Sequence, residues 1–390
     1  MRKNKIIRVT TVPVSLSKLL EGQLSFINRY YQVIAISSGG DILDTLAKTE
    51  KIKAYSVDMT RKITPLKDLK SLFRIYRIFK KEKPLIVHSH TPKAGTLSMI
   101  AAKLAGIKIR MHTVAGLPLL EKEGFKRKVL NLVEKITYYC ATNVYPNSLN
   151  MVKIITDQKF CKNSKLKVIA NGSSNGIDLE YFDSTLFNSK ETLVTRDAVG
   201  VKKDDFVFIF IGRLVRDKGL NELIDAFNNI NKEYNNVKLL LLGREESDLD
   251  PISSKSLETI NSNKHIIHLG YKKDVRPYLN ISNVLVFPSY REGFPNTVMQ
   301  ACAMNLPSIV TDINGCNEII KNNYNGVIIP PKDKDSLYLA MKKIINDPKS
   351  VLKEFSKNSR SRMKKYDRKI VWNELLSEYK KLEKEIGDIL

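Results

Sequence analysis

The sequence predicts an α/β protein with two doubly wound parallel sheets. Short runs of β-branched and aliphatic residues alternate with longer segments of helical periodicity along almost the whole chain, a pattern typical of parallel strands joined by crossover helices. The runs number thirteen, which is too many for one twisted sheet. A chain of 390 residues is long enough for two domains of ordinary size.

Seven candidate strands lie in the first half of the chain and six in the second. They cover residues 6–12, 32–37, 52–57, 85–90, 108–113, 143–146 and 167–170, and then 206–211, 237–242, 265–269, 284–288, 307–311 and 326–329. Residues 172–178 are rich in turn formers, which indicates a boundary. We expect one domain over residues 1–185, a second over 186–368, and a final amphipathic helix over about 369–390.

Composition limits the possible partners and compartments. The net charge of +24, from 65 basic and 41 acidic residues, favours a polyanion such as nucleic acid, anionic lipid or a phosphorylated substrate, although a solvated lysine-rich surface is an equal alternative. No apolar run approaches the roughly 18 residues of a membrane helix, and the N-terminus reads as a first strand and not as a signal peptide. The four cysteines show no metal or disulfide spacing, which favours cytoplasmic thiols.

The most informative stretch is residues 288–301, which follows a buried strand and leads into a helix with Pro295 near its first turn. Glu292 therefore lies in a loop at the carboxyl end of a strand, beside the free N–H groups of a helix start. In an open α/β sheet, ligands bind at that edge, and a helix N-terminus suits a phosphate.

A second motif follows the strand at 206–211. Arg213 and Lys218 flank the turn before the next helix, and a guanidinium with a nearby ammonium can hold a diphosphate. The alternative is two solvated loop residues. Gly212 ends this strand, and Gly243 and Gly270 end the next two. At a glycine the backbone can turn sharply or approach a ligand closely, and the alternative is ordinary turns that end strands.

Together, and in this order, these motifs resemble the donor site of retaining GT-B glycosyltransferases of family 4. The resemblance spans nearly the whole chain and implies two Rossmann-like domains with an interdomain cleft, an acceptor-binding first domain, and a last helix that packs back on it. By resemblance, Arg213 and Lys218 bind the donor diphosphate, Glu292 meets the sugar hydroxyls, and His112 faces the sugar. His112 could hydrogen-bond a sugar hydroxyl or hold its loop, and the alternative is a purely structural histidine. The other donor contacts implied are Gly212, Gly243, Arg244, Tyr271, Gly293, Phe294, Pro295, Asn296, Thr297 and Gln300.

Two positions depart from the family pattern. The motif has a second glutamate eight positions after the first, where this chain has Gln300. Its amide oxygen can still accept a hydrogen bond from a ribose hydroxyl, but the lost charge should weaken that contact by roughly 1 kcal/mol. Many relatives also carry a glycine pair after the first strand, where residues 11–15 are Thr-Val-Pro-Val-Ser. Ser15 in this loop is a candidate contact with the acceptor.

We expect no metal and no other cofactor. Two Asp-x-Asp matches, Asp248 with Asp250 and Asp333 with Asp335, lie in polar loop sequence and arise easily by chance, and His88 and His90 have no third ligand nearby. Transferases of this kind are metal-independent. No carboxylate is an evident general base, which fits a retaining mechanism in which the departing phosphate oxygen accepts the acceptor proton.

Three features suggest contact with an anionic acceptor or membrane. Lys93 near a helix start could meet a lipid diphosphate. Residues 61–83 combine nine basic residues with apolar residues at helical spacing, and residues 116–130 combine leucines, Phe125 and a basic run, both of which suit an anionic membrane surface. The alternative is that the apolar face packs on the sheet and the charges are merely solvated.

The resembling enzymes closest in pattern assemble bacterial capsule, O-antigen and lipid-linked glycans. We therefore expect transfer of a sugar, with an N-acetylhexosamine as the guess, from a UDP-sugar to a lipid-diphosphate-linked saccharide. We place the enzyme in the cytoplasm, peripheral at the anionic inner face of the cell membrane. A GT-B sugar-nucleotide epimerase is the alternative enzyme, but its acid and base residues cannot be placed. A nucleic-acid-binding protein would need a binding module or stacking aromatics, and neither is evident.

Overall fold

The protein divides into two compact units, Met1–Gly176 with Arg368–Leu390, and Ile177–Asp367. The computed structural model describes residues 3–60, 64–117, 119, 123–246 and 250–388. The expected limit at residue 185 lies inside the second unit, because Arg360 of that unit donates hydrogen bonds to the Phe182 carbonyl and the Asp183 carboxylate. The final helix groups with the first unit.

The first unit is a parallel sheet in the order β3-β2-β1-β4-β5-β6 with helices on both faces. Adjacent residues of β1 enter different cores: Ile7 packs in one with Phe79, and Ile6 in the other with Tyr379. The elements are β1 Lys5–Val9, α1 Pro13–Leu19, α2 Gln23–Asn28, β2 Gln32–Ser37, α3 Asp41–Thr49, β3 Lys53–Ser56, α4 Pro65–Glu82, β4 Ile86–Ser89, α5 Pro92–Leu104, β5 Ile109–Val114, α6 Gly124–Cys140, β6 Asn143–Pro146 and α7 Leu149–Asp157.

The second unit repeats this topology, with the order β12-β11-β10-β7-β8-β9. The central strands β7, β8, β10 and β11 are short, apolar and almost fully buried, as expected for strands covered on both faces, whereas the edge strands β9 and β12 are partly exposed. The elements are α8 Ser189–Ala198, β7 Phe206–Ile211, α9 Leu220–Glu233, β8 Val237–Leu242, α10 Ser254–Ser262, β9 Ile266–Gly270, α11 Arg276–Asn280, β10 Val284–Phe287, α12 Asn296–Ala303, β11 Ser308–Thr311, α13 Cys316–Ile319, β12 Gly326–Ile329, α14 Lys334–Asn346 and α15 Lys353–Met363. The chain returns to the first unit as α16, Arg368–Gly387.

The predicted fold class of two doubly wound, Rossmann-like units is confirmed. Twelve of the thirteen predicted strands are present, and the prediction of a strand at 167–170 is wrong. That segment approaches β6 through a single bridge between Leu166 and Val144. Ala170 then adopts a φ of 50°, a left-handed conformation that ends any extended pairing.

Helix α4 forms within the segment predicted to be a basic amphipathic helix, of which residues 61–63 lie outside the described residues. Its buried face includes Ile75 and Phe79, while Leu66, Leu69 and Phe73 are exposed. The expectation that the leucines of 116–130 lie on the surface is wrong for Leu117 and Leu119, which are buried. Pro118 and residues 120–122 lie outside the described residues. None of the described helices is both long enough and apolar enough to cross a membrane.

Candidate functional site

The second unit brings together the loops that follow β7 and β10. These strands are neighbours at the centre of the sheet, with Leu285 opposite Ile209, but the chain leaves them toward opposite edges. Their carboxyl ends therefore form a topological switch point, which is where open α/β sheets bind ligands. Arg213 and Lys218 follow β7 and Glu292 follows β10.

The two loops pack at van der Waals distance through a glycine. Gly219 has a φ of 71°, and a Cβ added there would lie 2.1 Å from the carbonyl oxygen of Pro288. The Tyr290 backbone N–H donates to the Asp217 carbonyl oxygen at 2.9 Å. Only glycine can take this backbone conformation and leave room for the neighbouring carbonyl.

Lys218 and Glu292 form a partly buried ion pair. The Lys218 ammonium donates to Oε1 of Glu292, and the hydroxyl of Ser289 donates to the same oxygen at 2.9 Å. The Lys218 and Glu292 side chains are 15% and 16% exposed. The ammonium is therefore a fixed charge at the switch point and not a mobile one.

Arg213 lies near several carboxylates. Its Nη1 donates to Oε2 of Glu246 at 2.7 Å. Burial works against the charge of Arg213, but the Glu246 hydrogen bond and the negative charges of Glu246, Asp217 and Glu292 outweigh it and raise the pKa of the guanidinium. Asp217 is itself held by Arg291 at 2.7 Å. Arg213 is therefore fully cationic and available to an anion that displaces Glu246.

The loop after β10 is locked before α12 begins. The Asn314 amide donates to the carbonyl oxygens of Gly293 and Glu292, at 2.6 and 3.2 Å, and Phe294 is buried edge-on against Tyr366. The helix begins at Asn296 with Pro295 as its N-cap. The N–H groups of the first turn, which include those of Asn296 and Thr297, have no partner within the helix and carry the positive end of its dipole.

Gln300 lies one turn further along α12 and is half-buried. Three other predicted donor residues gather where β8 and β9 end. The Gly243 backbone N–H donates to the Gly270 carbonyl oxygen at 3.0 Å. The Arg244 guanidinium lies 5.0 Å from the centre of the Tyr271 ring, which leaves an exposed aromatic and cationic platform beside the switch point.

In the first unit, His112 is buried on β5 with 2% of its surface exposed. Its Nδ1 is 2.8 Å from the Ser89 hydroxyl. A Cβ at Gly95 would lie 2.4 Å from its Cε1, so the ring fills the space that this glycine leaves. Burial lowers the pKa of His112 to about 4, so the imidazole is neutral at physiological pH.

His88 and His90 belong to a buried network centred on Arg8. Because an arginine Nε–H can only donate, its 2.9 Å bond to His90 Nε2 places the His90 proton on Nδ1. Arg8 Nη1 donates to the Tyr379 hydroxyl, which lies 2.7 Å from His88 Nδ1. Burial lowers the pKa values of both histidines well below 6.5. His88 and His90 are therefore neutral members of the packed interior of the first unit.

Lys93 and Ser15 also lie in the first unit. The Lys93 ammonium contacts both carboxylate oxygens of Asp68, at 2.7 and 2.8 Å, and is 14% exposed. Ser15 is half-buried in the first turn of α1. An anionic acceptor group would have to compete with Asp68 for Lys93.

Neither Asp-x-Asp pair forms a ligand set in the described parts of the chain. Asp333 caps α14 by accepting from the backbone N–H groups of Asp335 and Ser336. Asp250 accepts from Arg216 and from the Asp217 backbone, and Asp248 lies outside the described residues. Across the described ranges, no three His, Cys, Asp or Glu side chains cluster in a way that could hold a metal ion.

Sequence reasoning missed three residues that shape the site. Ser289 and Asn314 lie just after the strands β10 and β11, so a polar residue beside a strand end was the available signal. Glu246 lies four residues beyond β8 in an irregular loop, where no spacing pattern could link it to Arg213.

Two family profiles match the chain. The profile described as "Glycosyl transferases group 1" covers residues 193–369, and "Glycosyl transferase 4-like" covers residues 19–148. Each therefore falls almost entirely within one of the two units.

Curated relatives match over most of their length. The capsular polysaccharide biosynthesis glycosyltransferase CapM of Staphylococcus aureus is 35% identical over 99% of both chains. The UDP-Gal:alpha-D-GlcNAc-diphosphoundecaprenol alpha-1,3-galactosyltransferase of Escherichia coli is 32% identical over 80% of both. The N,N'-diacetylbacillosaminyl-diphospho-undecaprenol alpha-1,3-N-acetylgalactosaminyltransferase of Campylobacter jejuni is 28% identical over 83% of this chain and 84% of its own.

Among solved structures, Alr3699/HepE of Anabaena, in complex with UDP and glucose, superposes with a TM-score of 0.80. It covers 97% of this chain and 100% of its own at 16% identity. At that identity the likeness shows the fold.

Proposed function

Because the chain belongs to the group 1 glycosyl transferases, we propose that it moves a sugar from a UDP-linked donor to a saccharide carried on a lipid diphosphate, with retention of anomeric configuration. The glycosyltransferase activity itself follows from membership of the family. The finer proposal draws on the names of the Escherichia coli and Campylobacter jejuni relatives, which specify diphosphoundecaprenol-linked acceptors, and on the UDP in the Anabaena structure.

The observation that carries the proposal is the cationic switch point of the second unit. Arg213 and Lys218 follow β7 there, and Glu292, which pairs with Lys218, lies in the loop that leads into α12. As the bond between sugar and diphosphate breaks, negative charge grows on the departing phosphate. Two fixed cations and the first N–H groups of α12 would stabilise that charge without solvent reorganisation. We therefore propose that the reaction proceeds without metal.

Glu292 and His112 are assigned to the sugar. Both hydrogen bonds that hold Glu292 use Oε1, so Oε2 is the oxygen that would accept from sugar hydroxyls. His112 is neutral and has a low pKa, which makes it a hydrogen-bonding group and a poor general base at pH 7. We propose accordingly that the departing phosphate oxygen accepts the acceptor proton on the face where the new bond forms.

For the donor sugar we propose an N-acetylhexosamine. The relatives differ here, since one name specifies galactose and another N-acetylgalactosamine. The test is a screen of UDP-sugars with synthetic undecaprenyl-diphosphate saccharides, in excess chelator, read by mass spectrometry and by the anomeric configuration of the product. We expect transfer from a UDP-N-acetylhexosamine with retained configuration.

The screen has distinct contrary outcomes. Transfer from UDP-galactose alone would overturn the sugar assignment, and transfer that requires added divalent metal would overturn the metal-independent mechanism. Conversion of the donor to an epimer without any acceptor would replace the proposal by the epimerase alternative.

We further propose that the first unit docks on an anionic membrane through α4. Leu66 is 86% exposed on this helix, beside exposed Leu69 and Phe73. Arg77 lies 4.4 Å from the Phe73 ring, and most of the remaining surface residues of the helix are lysine or arginine. The apolar residues would enter the lipid interface, and the basic residues around them would meet the anionic headgroups. This arrangement fits a peripheral membrane contact.

The membrane proposal is tested by sedimentation with vesicles of phosphatidylglycerol and phosphatidylcholine. The double variant Leu66→Ser/Leu69→Ser should reduce vesicle binding several-fold. The double variant Arg74→Glu/Arg77→Glu should also reduce vesicle binding, and by more at low salt than at high salt. Exposed Leu339 on α14 of the second unit provides the matched control, Leu339→Ser. Equal vesicle binding by all variants would overturn the membrane proposal and mean that the exposed face of α4 is only solvated.

A further inference from the structure

The loop after β8 carries a carboxylate to the proposed diphosphate clamp. Glu246 accepts a hydrogen bond from Arg213 Nη1 at 2.7 Å. An anionic donor would present its phosphate oxygens to the same guanidinium. Glu246 and the diphosphate are therefore alternative partners of Arg213.

Backbone contacts hold this loop against the clamp. The N–H groups of Gly212 and Leu214 donate to the carbonyl oxygens of Leu242 and Arg244, at 2.9 and 2.8 Å, so the chain on either side of Arg213 is paired with the chain that leads to Glu246. Further along, Asp250 accepts from the Arg216 side chain and from the Asp217 backbone N–H, at 3.2 and 2.7 Å. The loop is anchored on both sides of Glu246, which keeps its carboxylate near Arg213.

The pair differs from the neighbouring Lys218–Glu292 pair in exposure. The Arg213 and Glu246 side chains are 40% and 35% exposed, against 15% and 16% for Lys218 and Glu292. Glu292 also accepts from Ser289. An exposed pair is weak because water screens it, so Glu246 can be exchanged for another anion at small cost, whereas Glu292 stays in place.

We propose that Glu246 is a built-in counter-ion that competes with the donor diphosphate for Arg213 and so limits donor and product affinity. The proposal rests on the function proposed above, in which Arg213 binds that diphosphate. When the donor binds, its diphosphate replaces the Glu246 carboxylate as the partner of the Arg213 guanidinium. When the nucleoside diphosphate leaves, Glu246 pairs with the guanidinium again, which lowers the cost of release.

The test measures binding of UDP and of uridine by calorimetry in chelator, at low salt. Glu246→Gln keeps the shape and a hydrogen-bonding oxygen but removes the competing charge. We expect it to tighten UDP binding about three- to fivefold, the range that loss of an exposed ion pair permits, mainly through slower dissociation. Uridine, which has no phosphate, should bind both proteins equally, and the UDP gain should shrink at high salt.

The matched control is Glu245→Gln, which removes the same charge one residue earlier. The Glu245 carboxylate faces His268 at 3.8 Å and not Arg213. UDP affinity should change less in this variant than in Glu246→Gln. In Arg213→Ala, adding Glu246→Gln should give no further gain, because the shared partner is gone.

The outcomes separate this inference from the proposed function. If UDP binds the wild-type protein and Arg213→Ala weakens it, but Glu246→Gln is neutral or weaker, the counter-ion role is overturned while the donor site stands. An equal gain in UDP affinity in Glu245→Gln and Glu246→Gln would mean that any nearby negative charge weakens UDP binding. That result would also overturn the counter-ion role of Glu246. If UDP does not bind, or Arg213→Ala binds it normally, the donor site itself fails.

Discussion

The two sheets have the same topology, but their switch points differ in chemistry. In the second unit the loops after β7 and β10 present Arg213, Lys218, Glu292 and a helix start. In the first unit the loops after β1 and β4 meet through neutral hydroxyls, with the Thr11 and Thr91 Oγ1 atoms 2.8 Å apart. Arg8, on β1 itself, is wholly buried.

The difference shows how one backbone design serves two roles. A doubly wound sheet provides a crevice at its switch point whatever its sequence, and the loop residues decide what that crevice can bind. In the second unit Arg213 is 40% exposed, so a diphosphate can displace Glu246 from it at small cost. In the first unit the Thr11 and Thr91 hydroxyls satisfy one another, and Lys93 is only 14% exposed in its pair with Asp68, so an exchange of partners there costs more.

The largest expected effect comes from removing the two cations of the second switch point, Arg213 and Lys218. Arg213→Ala and Lys218→Ala should each reduce the transfer rate by about 100-fold or more, because each deletes a preorganised charge from the leaving group. Initial rates at saturating acceptor measure the effect. Arg216→Ala is the control, since Arg216 lies in the same loop but pairs with Asp250. Near-wild-type rates in the first two variants would show that the clamp is misplaced.

The buried histidines of the first unit predict a loss of stability in acid. The pKa values of His88, His90 and His112 are lowered by burial, so below pH 6.5 the unfolded chain takes up protons that the folded chain does not. Stability is therefore fully present above pH 6.5 and falls toward pH 4. With a folded pKa of about 4, His112 alone should cost about 2 kcal/mol between pH 7 and pH 5.

Urea unfolding followed by the fluorescence of Trp372, the single tryptophan, measures that loss in the first unit. His112→Asn keeps a polar atom near Ser89 but does not titrate. The drop in unfolding free energy between pH 7 and pH 5 should be smaller by about 2 kcal/mol in this variant. An identical drop in both proteins would mean that His112 is solvated and not buried.

The sequence predicted the fold well because its signals are local. Twelve β-runs are predicted correctly because each is a short apolar segment between turn formers, whereas residues 167–170 have a similar composition but follow a single bridge to β6 at Leu166 and end in the left-handed Ala170. Arg213 and Glu292 could be placed together because they follow strands that occupy corresponding positions in a doubly wound sheet. The ion pair with Glu246 and the burial of Leu119 depend on loop paths, for which a sequence carries no periodicity.

A smaller effect is expected where a glycine makes room for His112. Gly95→Ala would place a methyl group 2.4 Å from the imidazole Cε1, which forces the ring or α5 to move at a cost of about 1–3 kcal/mol. Denaturant unfolding measures this cost. Gly387→Ala, where an added Cβ meets nothing within 4 Å, should be neutral or slightly stabilising. Wild-type stability in Gly95→Ala would show that the imidazole does not pack on α5 as described.

The smallest expected effect concerns the missing charge at Gln300. This side chain is half-buried on α12, one turn beyond the helix start that is proposed to meet the phosphates. If its amide oxygen accepts from a ribose hydroxyl, Gln300→Glu should strengthen that bond by about 1 kcal/mol, or roughly fivefold in UDP affinity. Gln300→Ala should weaken binding. The gain should vanish for a 2′,3′-dideoxy analogue of UDP, which lacks the hydroxyls, whereas a gain that persists there would assign the effect to the electrostatics of α12 and not to the ribose.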